Sequence, residues 1–505
     1  MLSGSCSAGE ARRQKAFETR YSVAFNQYIR PVPCHVNNND EQTLVPQYIG
    51  QFTKGMQHNS NGVPSSTDYQ SLLTAVASGL PSLFEQIQRS MTATVKYTNP
   101  QAGLFINLVG ADVGSLAMPP APLFSSNEMG SEFIELSWMA LSRDINFDQY
   151  GSEPVTLAAI TELDTLVDYK GIVPVTASNL FRSPFIGCTT GPYISQFMYH
   201  NAYYGLNQIS QKLNPPVSGK DYMLNFTEFL KIQNGESPSE TKQLNGTERY
   251  IINGRDLAHY VHGDVVFQAY HIAGMILLDM NAPLNPTNPY VISLNQKGFG
   301  TFGAPFVSSM VAEVAKQALT TVWYQKWFVN RRIRPEAYGG FVERTKLAIQ
   351  SFPVNAQTLT SQALADIFAK YGTYLLPQAF PEGSPTHPSY GAGHATVSAA
   401  CVTLLKAFFD GSYVLPSPVV PDATGHTLLS FVGPALTVEG ELNKLSSNIG
   451  VGRNIGGVHW LSDYIQSVYL GEQVAINFLR DYKTSFNEGF VGWTFNDFEG
   501  NVVSI

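Results

Sequence analysis

No stretch of this 505-residue chain strings together the roughly 18–20 apolar residues of a membrane-crossing helix, although 44% of its residues are hydrophobic. Charge is sparse, at 14% of residues, and acidic on balance, with a formal net charge of −8. A nucleic-acid backbone calls for a broad basic face, so no nucleic-acid partner is expected. Cysteine is scarce too. Cys6, Cys34, Cys188 and Cys401 make no CxxC and no zinc-type spacing, which argues against a cysteine metal site. Cys401 reads as a small core residue, and the sequence leaves open whether Cys6 pairs with Cys34. The N-terminus, MLSGSCSAGEARRQKAFETR, lacks the apolar centre of a signal peptide and reads as a mature or cytoplasmic form. What is present is apolar material enough for a large core, which argues against disorder.

Residues 1–65 are polar, with runs such as NNNDEQ and HNSNG. They read as an irregular arm lying on the core or on a neighbouring subunit. Residues 66–505 read as one mainly α catalytic unit of packed helical bundles with few short strands. Helices are expected over 133–142, over 190–212, and as one long amphipathic element over 255–280, which NAPLNPTNPY ends. The polar stretch 213–250 suggests a short hairpin. Val307, Val311, Val314, Ala318 and Val322 recur at helical spacing. That helix is expected to run into KWFVNRRIRP and to stop at Pro335. Two more are expected, from His394 to Phe408 and from Leu461 to Phe478.

Three segments within 320–465 carry the chemistry. In the first, Lys326 and Arg334 lie eight residues apart, roughly 12 Å along an ideal helix. Long side chains converge over that distance if the helix end unwinds. Arg offers a planar fork and Lys a point charge to an oxyanion. The plain reading is a solvated basic helix end. Trp327, Phe328, Val329 and Ile333 among the charges favour burial, and buried cations need an anionic partner. In the second, Gly391 and Gly393 let backbone approach a ligand just where a helix begins, and free N–H groups there suit an anion. His394 at that start can exchange protons near neutrality, and His387 lies close enough in sequence to share the pocket. The plain reading is a Gly-rich turn with incidental histidines. In the third, Asp463 follows His459 by four residues and Arg453 precedes it by six. A carboxylate at i+4 can hold one ring nitrogen of His459 and leave the other as a nucleophile or metal ligand. A surface His–Asp pair is the bland alternative.

The order Lys…Arg-Pro, Gly-His, Arg…His…Asp resembles the superfamily of vanadium-dependent haloperoxidases and type 2 phosphatidic acid phosphatases. YQKWFVNRRIRPEAYGG, FPEGSPTHPSYGAGHATVSAACVTLLKAFFDG and TVEGELNKLSSNIGVGRNIGGVHWLSDYIQSVYLGEQVA are similar to the red-algal and cyanobacterial bromoperoxidases, as are FTKG, AMPPAP and NLFRSPFIG. The resemblance implies a vanadium haloperoxidase-like fold and one vanadate per subunit. It implies His459 as axial ligand to vanadium, with Lys326, Arg334, Gly393, His394 and Arg453 about the vanadate. It implies His394 as the acid–base residue, Lys326 as polarising group, His387 as an auxiliary histidine and Asp463 as support for His459. The implied reaction oxidises bromide or iodide, with chloride left open, by hydrogen peroxide. A hypohalous-acid-like product then halogenates a small organic acceptor. Similar algal enzymes form dimers and larger closed assemblies, so a homodimer or higher homo-oligomer is expected.

The chain departs from that pattern. Ala392 stands where the family usually has serine, and Trp323 takes a position that is basic in some algal relatives; both are expected to shape the halide pocket. Asn330 stands where histidine is common. The loop 283–303 has no acidic residue, which puts the structural calcium of some relatives in doubt. Two alternatives stand beside this reading: an acid phosphatase of the same superfamily using His459 as a phosphorylated nucleophile, and a non-catalytic structural or assembly relative.

Overall fold

The computed structural model describes residues 6–505, and helices dominate it. The polar first segment is not irregular throughout. Cys6–Tyr28 forms α1, because its Ala, Glu, Arg, Lys and Gln residues favour helix without burial. The pairing of Cys6 with Cys34 falls on a side chain outside the described residues. Beyond α1 the chain lies against the body. Arg30 donates to the Asn477 side chain at 2.6 Å, and Arg331 forks onto Glu41 at 2.8 and 3.0 Å.

α2 (Asn127–Leu141) starts at Ser126, whose hydroxyl accepts the Met129 N–H, and it covers the expected helix at 133–142. The helix expected over 190–212 is absent. That stretch holds a short 3-10 turn and an antiparallel hairpin, β1 (Ala202–Tyr204) with β2 (Asn207–Ile209). Gly205 turns it at a φ of 62°, a conformation that glycine adopts without strain. The hairpin expected in 213–250 is absent: the stretch holds a short helix, Phe226–Gln233, and isolated bridges, Leu213 with Arg249, Pro216 with Leu244 and Tyr222 with Gln378. Two further hairpins, β3 (Val419–Pro421) with β4 (Leu428–Ser430) and β5 (Thr494–Asn496) with β6 (Val502–Ser504), complete the strands.

The long helix expected over 255–280 is two helices. α3 (Gly254–Gly263) and α4 (Gln268–Asp279) meet at a 99° bend. Gly263 is a weak helix former and the β-branched Val265 and Val266 follow it. Asp264 at the corner is extended, a placement that matters for the site.

α5 (Ala304–Tyr324) buries Val307, Val311, Val314, Ala318 and Val322 as the spacing requires. It then widens into a π turn over Gln325–Asn330. There the Arg331 N–H reaches back five residues to the Lys326 carbonyl at 2.9 Å, and Arg331 ends the turn at a φ of 46°. Pro335 therefore does not stop this helix. It opens the next one, α6 (Pro335–Lys346), at the position where its missing N–H costs nothing. π turns recur at functional sites because they re-aim side chains.

α7 (Gly393–Phe408) is the central post, packed by α5, α8 (Val438–Ile455) and α9 (Leu461–Lys483). Every residue of α7 except His394 is buried, as expected of a helix that is apolar on all sides. The sequence reading did not anticipate α8, whose glycines mask its pattern. Those glycines permit close crossing: a Cβ on Gly450 would stand 2.0 Å from the Tyr464 ring.

Candidate active site

His459 is not on a helix. It precedes Trp460, the N-cap of α9, while Asp463 is the third residue of that helix. The i+4 contact forms nonetheless, because the Asp463 carboxylate caps the helix. Its Oδ2 accepts the Trp460 N–H at 3.2 Å and the His459 Nδ1–H at 2.8 Å. Arg332 donates to Oδ1 at 2.8 Å, and the Ser389 hydroxyl donates to Oδ2. With Nδ1 as donor, the network assigns His459 the tautomer whose Nε2 carries the lone pair.

That nitrogen faces cations. Arg334, just past the π turn, puts NH1 3.0 Å from His459 Nε2 and donates NH1 to the Val458 carbonyl at 2.7 Å. Its NH2 lies 2.9 Å from His387 Nδ1. Lys326, on the π turn, donates to the carbonyls of Pro388 and Ser389 at 2.7 and 2.9 Å. Arg453, in the last turn of α8, donates NH1 to the Val261 carbonyl at 2.8 Å, and its buried Nε finds no acceptor among the described residues. Among the described residues, none of the three forms a carboxylate salt bridge. Burial, and then the neighbouring Arg334, push the Lys326 ammonium well below its usual range. Burial lowers Arg334 to about 9 and Arg453 to about 10. Burial, followed by Arg334 and Lys326, also holds protonated His459 well below the usual imidazole range. His459 is therefore neutral, with its lone pair available. Three cations this deep are costly unless an anion joins them.

α7 begins at this cluster. Its first N–H groups lack intrahelical acceptors, and a Cβ on Gly393 would stand 3.0 Å from the Trp323 ring. His394 Nε2 lies 3.0 Å from Asp264 Oδ1 at the α3–α4 corner. Burial and then Arg453 lower His394, against the opposing pull of Asp264. His387, Gly393, His394, Arg453, His459 and Trp323 line one cavity of about 320 Å³. Trp323 packs 4.8 Å from His387, ring to ring, and anchors its indole N–H on the Thr98 carbonyl at 3.1 Å. Ala392 is not part of this lining. It is the buried N-cap of α7, and its N–H donates to the Ser467 hydroxyl at 2.7 Å.

The sequence reading missed Asp264, Arg332 and Ser389, as well as His262 and Glu382 at the cavity wall. Asp264 had been placed inside a helix, where it could not reach His394. Arg332 stood among other arginines with nothing in the sequence to show that it alone reaches Glu132, at 2.8 Å, and Asp463. The residues fit an oxyanion such as vanadate. They offer a neutral imidazole lone pair, three buried cations without carboxylates, an orphaned guanidinium N–H and free helix N–H groups.

Comparison with known proteins gives the same answer along the whole chain. A family profile described as the VCPO second helical-bundle domain matches residues 307–488. The vanadium-dependent bromoperoxidase of Corallina officinalis is 34% identical over 98% of this chain and 99% of that protein. That of Ascophyllum nodosum is 31% identical over 98% of this chain and 92% of its own length. The homohexameric structure of the second vanadate-dependent bromoperoxidase of Ascophyllum nodosum superposes with a TM-score of 0.92 and 29% identity, covering 98% of this chain and 90% of that one. With relatives this similar from end to end, the chain belongs to the vanadium-dependent bromoperoxidases, a branch of the vanadium haloperoxidases.

Proposed function

We propose that this haloperoxidase holds one vanadate per subunit in the cavity at the head of α7, with His459 Nε2 as the ligand to vanadium. In this reading Lys326, Arg334, Arg453 and the Gly393 N–H surround its oxygens. The supporting observation is the set of three buried cations without carboxylate partners around a neutral imidazole. Bound vanadate supplies a Lewis-acidic V(V) centre that makes hydrogen peroxide electrophilic toward halide without a change in metal oxidation state.

The chain's own residues do the rest. Asp463, pinned by Arg332, Ser389 and the start of α9, keeps the proton of His459 on Nδ1. Asp264 accepts from His394 Nε2 and leaves Nδ1 free to take a proton from peroxide and return it to the departing oxygen. Trp323 and Leu319 give the cavity an apolar wall that strips water from an entering halide. Bromide and iodide are the proposed halides. Chloride, whose desolvation costs more, depends on that wall.

The chain is also proposed to form a homo-oligomer. Phe17 and Tyr21 stand 62% and 61% exposed on α1 and stack on each other, and large exposed apolar patches mark association surfaces. The Ascophyllum nodosum neighbour is a homohexamer. Vanadium analysis and an iodide- and bromide-oxidation assay on vanadate-loaded protein test the function, and light scattering tests the assembly. Protein that retains vanadate but oxidises neither halide, or a monomer mass at micromolar concentration, defeats the respective part.

A further inference from the structure

The last turn of α3 does more than deliver Asp264. His262, two residues earlier, lines the same cavity, as does Glu382 from the loop after Phe380. His262 Nε2 lies 2.6 Å from Glu382 Oε1. On its other side, His262 Nδ1 lies 3.1 Å from Lys242 Nζ, which also reaches His259 Nδ1 at 3.0 Å. An ammonium can only donate, so the order is fixed: Lys242 donates to His262, and His262 donates to Glu382. The imidazole cannot swing away freely, because it stacks on Phe380 at 4.0 Å and 16°. The backbone of Glu382 is held as well, its carbonyl accepting from buried Lys54 at 2.6 Å. The carboxylate is thus fixed at the cavity mouth, 46% exposed, with the ammonium behind the ring.

This arrangement has no task in halide oxidation itself. A fixed carboxylate offers nothing to a halide or to peroxide anions. It does offer a hydrogen-bond acceptor and a negative charge to an organic molecule entering past it. A cavity of about 320 Å³ walled by Trp323, Leu319, Val266 and Pro385 is at the small end of ligand sites and takes a single ring.

We propose that Glu382, oriented by His262 and Lys242, is a specificity-determining residue for the organic acceptor, selecting electron-rich aromatic rings that carry an ammonium or N–H donor over those that carry a carboxylate. The inference rests on the haloperoxidase reading above and adds the acceptor class to it. Burial alone would raise the Glu382 carboxyl, but the hydrogen bonds from His262 and from its own backbone N–H, with the charges of His262 and Lys54, together outweigh it and lower the group. The group therefore stays ionised at neutral pH, whereas an anionic acceptor meets repulsion there. Halogenation replaces a ring hydrogen: the ring carbon takes the electrophilic halogen of the hypohalous acid, and the displaced proton combines with the departing hydroxide as water.

The test is a competition between tyramine and 4-hydroxyphenylacetate, equimolar at neutral pH, with vanadate-loaded enzyme, bromide and peroxide. The product ratio is compared with that given by hypobromous acid added directly. The wild-type ratio should favour brominated tyramine by about two- to fivefold over the reagent ratio, the scale of one partly exposed charge pair. Glu382→Gln should bring it back to the reagent ratio, and His262→Gln should bring it part of the way. A product ratio is internal to each protein, so a change in overall rate does not disturb it. Calorimetry without peroxide gives a second reading: tyramine should bind more tightly than 4-hydroxyphenylacetate to wild type and equally to Glu382→Gln. A wild-type ratio equal to that of the reagent, or a preference that survives Glu382→Gln, overturns the proposal. Wild-type enzyme that fails to oxidise iodide at all points instead to a failure of the underlying function.

Discussion

Two sets of buried cations differ in their partners. Below the loop at Asp221, Arg143 and Arg255 both reach its carboxylate, and Arg255 also forks onto Asp144 at 2.6 and 2.7 Å. Arg331 with Glu41, Arg332 with Glu132 and Asp463, and Lys54 with Glu336 follow the same rule. At the head of α7 the rule fails: Lys326, Arg334 and Arg453 lie equally deep and donate to carbonyls and histidines. The first kind of site is complete within the fold. The second is complete only with an anion. The pKa directions record the same contrast: despite burial, Arg255 is pushed up by Asp144 and Asp221 and Arg331 by Tyr69 and Glu41, whereas burial pushes Arg334 and Arg453 down.

The largest effect that separates the two regions is expected from His459→Ala. Retained vanadium, read by metal analysis after gel filtration, and halide oxidation should vanish together; a variant that keeps both removes His459 from the site. Next, Asp221→Ala should destabilise the protein by about 3–5 kcal/mol in denaturant unfolding, because buried Arg143 loses its counterion and Arg255 keeps only Asp144. Arg453→Met in vanadate-free protein should stay within about 0.5 kcal/mol of wild type, or become more stable. Equal losses from both would erase the distinction between the regions. Third, vanadate at about a hundred times its dissociation constant should stabilise wild type by about 2.7 kcal/mol and leave His459→Ala unmoved in thermal unfolding.

Ala392→Ser is a finer test. A hydroxyl that reaches the anion should tighten vanadate about tenfold, or roughly 1.4 kcal/mol. Ala392 is the N-cap of α7, so the serine has a competing use. If its oxygen accepts a first-turn N–H instead, the vanadate-free protein gains about 1 kcal/mol and vanadate affinity stays put. The smallest expected effect is a shift in halide ratio: Trp323→Arg should lower chloride relative to bromide turnover by wetting the apolar wall. An unchanged ratio removes Trp323 from halide choice.

Local pattern was legible where one face of an element meets the core. The valines of α5 and the apolar run from Val397 to Phe408 predict their helices because burial on a helical period leaves few alternatives. The pattern failed where a helix breaks or turns under tertiary contacts. The 255–280 stretch has enough apolar residues for one helix, and only the packing of α3 and α4 against different neighbours shows the corner between them. Pro335 was read as a stop because proline disfavours helix before it. It equally favours helix after it, and the π turn had already ended α5.

The sequence by itself determined the family and singled out Lys326, Arg334, His394, Arg453 and His459 as candidates: they stand in long, specific motifs, and their side-chain chemistry is fixed by residue type. It also determined that each was a candidate partner for an anion. Only the tertiary structure decided which cations are already neutralised. Six positions separate Arg332 from Lys326 and two separate it from Arg334, yet Arg332 meets Glu132 and Asp463 while the other two meet no carboxylate among the described residues. Likewise only the fold brings Asp264 to His394 and Glu382 to His262, across 130 and 120 residues of chain. Electrostatic pairing acts over a few ångströms in space, and separation along the chain does not measure that distance.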